Sequence, residues 1–402
     1  MDLIYAGFDG LDVTFQGVIP LRAVDAFEAA KVAAQETKQE TFAQVGKFKG
    51  HVAETGARGG YTYRVDTGNL GFTWFFSKSQ KREGWNIRVS CKSATLATYG
   101  FEGAIGLMYA DLEAVGATVL QEAIARVDFA MDWRMPGDFR LDPHRFALHG
   151  TTKADMHGEE IGQHWQKRQC PGLTIGKMPG RQICIYDKRR DIVAKRKDEW
   201  WKIWGIDRDE FERSGDQMWR IELRAGKKHL KEQWGVTSWA DLRAKLGDIY
   251  AHALLRIRYK ARTWDEDENI TRIEDDHMWE RCRAVTGGSL FEYTSNCGPG
   301  VVKQVMQEQQ RQTIAAMMIG LSANLAVLSG VDKDQLWELP PLISKMIASN
   351  IHGEESGKEF KSKMKKVYRR YEIYDEDGVI LDERTIGQIG GGTGSCTESA
   401  FV

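Results

Sequence analysis

The segment Arg126-Val127-Asp128-Phe129-Ala130-Met131-Asp132-Trp133 constrains this chain more than any other, because it alternates without a break. Successive side chains of a strand point to opposite faces, so Val127, Phe129, Met131 and Trp133 face a core while Arg126, Asp128, Ala130 and Asp132 share the other side. That period excludes a helix and requires a sheet packed mainly on one face. Two carboxylates on the open face are unusual for packing. Asp128 and Asp132 stand roughly 13 Å apart on a regular strand, so one metal ion would bind both only across a bulge or bend.

Two further segments have the same character. Trp219-Arg220-Ile221-Glu222-Leu223-Arg224 points Arg220, Glu222 and Arg224 to one side. Arg181 to Lys188 (RQICIYDK) puts Ile183 and Ile185 on one face and Cys184, Tyr186 and Lys188 on the other. Carboxylate oxygens suit Mg²⁺ or Mn²⁺, hard ions that also bind phosphates. A phenol with an ammonium two residues away on the same face has its phenolate favoured electrostatically. The competing arrangements are an Arg–carboxylate ladder across neighbouring strands and a half-buried tyrosine that only packs.

Around these segments the sequence divides into an α+β part and a helical part. Residues 3–19 read as one strand or a bent pair, followed by a helix from Leu21 to about Val45. Short strands are expected at 61–65, 71–77 and 85–91, then a helix at about 99–115. The second stretch has strands at 125–133, 172–177, 182–186 and 218–224, with one basic helix from 187 to about Trp204. No regular crossover helices separate the strands, which predicts antiparallel sheets in two α+β units. Helices follow at 239–261, 276–285, 301–329, 342–349 and 357–371. The expected domains are 1–120, a catalytic unit at 121–235, a helical domain at 236–385 and a flexible Gly/Ser/Thr-rich tail at 386–402.

Composition narrows the function classes. The 42% hydrophobic content supports a buried core, and the net charge of −1 does not announce a nucleic-acid binder. Charge is unevenly placed, however, with Lys188-Arg189-Arg190, Lys195-Arg196-Lys197 and 256–262 basic and 265–276 acidic. Thirteen Trp recur beside basic residues, as in Trp200-Trp201-Lys202, where they either pack or offer stacking surfaces for unpaired bases. The six Cys form no C-x-x-C pair, which fits a reducing cytoplasm and argues against a zinc ribbon or a disulfide framework. No N-terminal signal pattern and no apolar run of about 20 residues is present, so a cytoplasmic protein without membrane segments is expected. The most apolar stretch, Ala315 to Leu328, reads as a partner helix or domain core. His spacing supports neither H-x-H nor H-E-x-x-H chemistry, and GLTIGKMPG at 172–180 lacks the P-loop pattern.

The ordered set R-V-D-F-A-M-D-W, L-T-I-G-K-x-x-G-R-Q-I-C-I-Y-D-K-x-x-D and W-R-I-E-L-R resembles the replication initiation factor family, the initiators of rolling-circle plasmids and related phage or mobile elements. The resemblance covers about residues 3–230. It implies an HUH-nuclease-like (RRM/ferredoxin-like) catalytic region and a site-specific nickase acting on origin DNA, either single-stranded or in a hairpin. Tyr186 would be the nucleophile, Lys188 would steady the phenolate or the phosphate, and Glu222 with Asp128 or Asp132 would hold Mg²⁺ or Mn²⁺. Asp191 stands where the family often has Glu. The resemblance also implies a homodimer working with a host helicase and DNA polymerase. Arg189, Arg190, Arg220 and Arg224, with helices at 187–204 and 239–262, are the candidate DNA contacts. The alternatives are a non-cleaving sequence-specific DNA-binding protein of the same fold and a helical scaffold protein whose acidic strands are merely paired.

Overall fold

The computed structural model describes residues 1–78, 84–148, 161–166, 169–265, 268–332 and 334–370. Two long strands, β1 (Asp2–Val18) and β7 (Thr118–Met135), pair antiparallel along their lengths. On the β1 side follow β6 (Trp85–Cys91), β5 (Phe72–Phe76), β4 (Tyr63–Asp66), β3 (Phe48–Val52) and β2 (Thr41–Val45). On the β7 side follow β12 (Gln217–Gly226), β11 (Arg181–Asp187), β10 (Gln169–Gly176) and β9 (Ile161–Gln166). The result is one continuous 11-stranded antiparallel sheet. In each half the first strand lies beside the last, β1 beside β6 and β7 beside β12. A short separate pair joins β8 (Phe146–Leu148) to β13 (Ile257–Tyr259).

Alternation decides what each face meets. Phe8, Leu11, Val13, Phe15, Val127, Phe129, Met131, Ile183, Ile221 and Leu223 belong to one buried cluster. Helices α1 (Leu21–Thr37), α2 (Ser93–Val115), α6 (Trp239–Arg256) and α7 (His277–Thr286) contribute to it. Burying such a layer supplies roughly 25 cal/mol per Å² of apolar surface, the main force holding helices to the sheet. Helix α6 is started by a capping box between Ser238 and Asp241, and its Tyr250 hydroxyl donates to the Val127 carbonyl at 2.9 Å. Over one end of the opposite face lie α3 (Lys188–Lys195), α4 (Glu199–Ile203) and α5 (Arg208–Ser214), whose Trp200, Trp201, Ile203 and Phe211 form a second cluster with Tyr5 and Met218.

Several expectations need correction. The helix anticipated to Val45 ends at Thr37, and Thr41 to Val52 is a hairpin turning at Gly46, whose φ of 60° needs no Cβ. Its five-residue strands are too short for alternation to outweigh the helix-forming composition upstream. The single basic helix to Trp204 is broken after Lys195, where Arg196 takes a left-handed φ of 50°. The expected division near residue 120 falls inside β7, because the central strand pair joins both halves in one sheet.

The chain separates into two compact units, 1–309 and 310–402. Helix α8 (Pro299–Leu328) begins in the first; α9 (Leu339–His352) and α10 (Glu354–Arg370) belong to the second. The tail at 386–402 lies outside the described residues. Among the described residues, α8 alone is long and apolar enough by length and composition to cross a membrane.

Candidate active site

The face opposite the main core carries the polar residues of β7, β11 and β12, and strand register arranges them in rows. One row runs Gly172, Tyr186, Arg220, Asp132, Tyr5 across β10, β11, β12, β7 and β1. The next runs Thr174, Cys184, Glu222, Ala130, Gly7, and the third Gly176, Gln182, Arg224, Asp128, Gly10. Gly7 and Gly10 leave room for neighbouring side chains: a Cβ at Gly7 would meet the Tyr5 hydroxyl, and one at Gly10 the Asp128 carboxylate.

Tyr186 leans from its row toward the next, and its hydroxyl donates to Glu222 Oε2 at 3.2 Å. A Cβ at Gly172 would stand 3.0 Å from the Tyr186 Cβ and from the Ile185 carbonyl oxygen, so glycine eases the close approach of β10 to β11 here. Burial pushes the phenol pKa well above its ordinary value; the Glu222 charge adds to this and Arg220 opposes it. The phenol therefore stays protonated at neutral pH. Arg224 donates to Glu222 Oε1 at 2.8 Å and to Oε2 at 3.0 Å.

Asp128 is held by Arg126, whose Nε donates at 2.8 Å. It is 2% exposed, and a Cβ at Gly10 would lie 2.6 Å from its Oδ2. Burial, then the neighbouring charge of Glu222, push its pKa up to about 7 despite Arg126 and Arg224. Asp132 has different partners. Arg220 grips it bidentately at 2.6 and 2.7 Å, and Trp204 Nε1 donates at 2.8 Å. The second carboxylate on Arg220 is that of Asp9, the extra residue of a β-bulge between Phe8 and Gly10. Burial acts to raise the Asp9 pKa, but Arg220 and Lys188 outweigh it and hold the carboxyl at about 2.

The structure thus brings Tyr186, Glu222 and Asp128 to adjoining rows and commits Asp132 to Arg220. Among the described residues no group of three His, Cys, Asp or Glu is placed to hold a metal ion. The donors that Asp128 and Glu222 offer are all oxygen, the type a hard divalent ion takes.

Two roles read from the sequence change. Lys188 is the first residue of α3, not a strand neighbour of Tyr186. Its ammonium lies 4.7 Å from the Trp200 ring centre, 5.7 Å from that of Tyr186 and 3.3 Å from Asp191. Burial and the like charge of Arg220 lower its pKa. It supports the ring from its face, away from the 3.2 Å contact between hydroxyl and Glu222. Arg220, expected to touch DNA, is fully buried under Trp200, and two carboxylates occupy its guanidinium. Arg190 is exposed, and Arg189 pairs with Glu212. Helix α6 packs behind the sheet, with Tyr250 against Phe129, and does not flank the site. Trp133, Trp200, Trp201 and Trp219 are buried, so packing is their role.

Sequence reasoning missed Asp9, Arg126 and the glycines Gly7 and Gly10. The signal for Asp9 was present in Phe8-Asp9-Gly10, where an acid and a glycine interrupt an alternating strand.

No protein-family model matches the chain. No curated protein matches it. A solved structure does. It is a rolling-circle replication initiator protein from Geobacillus stearothermophilus, 15% identical, with a TM-score of 0.37, covering 72% of this chain and 99% of its own. That likeness is too remote to assign a reaction, which must be argued from the site's own residues.

Proposed function

We propose that the chain is a rolling-circle replication initiator that nicks one strand of origin DNA through Tyr186, on a plasmid, phage or integrated element in a bacterial cytoplasm. The observation that carries the reading is the 3.2 Å contact from the Tyr186 hydroxyl to a carboxylate on the polar face of the sheet. A buried phenol that cannot ionise alone becomes a nucleophile only if its proton has somewhere to go. Glu222 is that acceptor.

The Tyr186 oxygen attacks phosphorus as its proton passes to Glu222; the O–P bond forms while the bond from phosphorus to the 3′ oxygen breaks, and the leaving oxygen takes a proton from solvent. The products are a 5′-phosphotyrosine and a free 3′-OH that primes a host polymerase. Reversal by another 3′-OH rejoins the strand without ATP. Asp128 and Glu222 are the residues that would hold Mg²⁺ or Mn²⁺, which would neutralise phosphate charge there. Arg126 and Arg224, 33% and 26% exposed, can exchange a carboxylate for a DNA phosphate. We assign nuclease chemistry to the β7 to β12 half and read the shared winding order of the halves as the mark of two related units. A homodimer and a host helicase complete the proposal.

A second reading, a DNA-binding protein that does not cut, is favoured by one observation: Arg126 and Arg224 already neutralise the two carboxylates. Supercoiled DNA of the replicon that encodes the chain, incubated with Mg²⁺ or Mn²⁺, separates the two. Nicked circles carrying protein on the 5′ end support cleavage, and binding without nicks supports the second reading.

A further inference from the structure

In the described part of the second unit, 310–370, helices exist but a core does not: only Ala326 and Gly357 are buried. Helices with apolar faces gain most of their stability from packing, so bare ones in water are marginal.

The distribution of apolar and charged residues indicates what these faces would meet. From Gln312 to Leu328 there is no Asp, Glu, Lys or Arg. Met317, Met318 and Ile319 are consecutive and 56%, 52% and 72% exposed, and Val327 and Leu328 are 77% and 86% exposed. Consecutive positions lie 100° apart on a helix, so the apolar surface extends beyond the single seam that one partner helix would cover. Helix α10 supplies the second observation. Phe360, Met364 and Val367 recur at helical spacing and are 37%, 39% and 44% exposed, while Lys358, Lys361 and Lys363 are exposed on the same helix. Seven Lys and Arg stand in Glu354–Arg370 against three Glu. An apolar stripe with cations around it is the pattern of a helix lying in the headgroup region of an anionic bilayer. DNA would attract the cations but offer nothing apolar to the exposed part of Phe360, Met364 and Val367.

We infer that the second unit binds the surface of an anionic lipid bilayer, with the apolar residues of α8 and α10 in the acyl boundary and the α10 lysines on lipid phosphates. This is independent of the chemistry at Tyr186. The test is sedimentation of the full chain with phosphatidylcholine vesicles, with and without phosphatidylglycerol. Cosedimentation with the phosphatidylglycerol vesicles alone is expected. Lys358→Glu with Lys361→Glu should weaken it at least about tenfold, since each cation near such a surface contributes a severalfold factor. Met317→Ser with Ile319→Ser should weaken it as well, with an unchanged circular dichroism melt. Three outcomes overturn the inference: no vesicle binding; a lipid-free dimer in which the amides of α8 are protected from hydrogen exchange; or lysine variants that lose DNA retention but keep vesicle binding.

Discussion

Burial holds the Tyr186 phenol protonated, so its reactivity at neutral pH depends on an acceptor, and Glu222 lies within hydrogen-bond reach. Replacing Glu222 by Gln should therefore cut single-turnover nicking by about 10² to 10⁴-fold, the usual worth of a general base, while DNA retention survives. Asp128 gives the residue scale its pH dependence. Its folded pKa of about 7 lies above the ordinary 3.8, so the folded state binds the extra proton. The stability this contributes is fully present below pH 3.8 and is lost as pH rises through about 7. Urea unfolding without divalent ion should show that decline, up to about 1.4 kcal/mol per pH unit, and Asp128→Asn should flatten it. Ion binding runs the other way: titration calorimetry should show Mn²⁺ affinity falling about tenfold per pH unit below 7, because the proton competes for the carboxylate. A pH-independent affinity would remove Asp128 from the ion site. Faces were legible at this scale: alternation put Tyr186 and Glu222 on the polar sides of their strands. Partner choice was not, because Arg220 reaches Asp9 and Asp132 across three strands and Lys188 leaves the strand altogether, and both depend on register and on where a helix begins.

At the scale of elements, the site depends on a bulge and on glycines. The bulge at Asp9 turns an extra carboxylate onto Arg220, and Gly10 leaves room for Asp128 on the neighbouring strand. Gly10→Ala should destabilise the protein by about 1 to 3 kcal/mol in a urea titration, since its Cβ would meet the Asp128 carboxylate at 2.6 Å. An unchanged midpoint would mean that Asp128 moves aside freely. Long alternating strands were readable from sequence because period two is unambiguous over many residues. The β2–β3 hairpin was not, since Thr41–Val45 and Phe48–Val52 are short and follow an Ala- and Gln-rich helix. The break at Arg196 was equally hidden, because a left-handed residue other than glycine leaves no compositional mark.

For the whole molecule, β1 and β7 make one sheet of what the sequence divides into two units, and the polar face of its second half carries the site. If the chain binds DNA as proposed, its net charge of −1 leaves the attraction to a few local cations such as Arg126, Arg190 and Arg224. The logarithm of affinity for single-stranded DNA should then fall with the logarithm of salt at a slope of roughly −2, about −0.7 per phosphate for some three phosphates. The central claim is covalent and is tested most directly by mapping the adduct. Nicking of the replicon's supercoiled DNA, followed by nuclease and protease digestion and mass spectrometry, should find a nucleotide on the peptide containing Tyr186, and none with Tyr186→Phe. Nicks by the Tyr186→Phe protein, or an adduct on any other residue, would contradict the account.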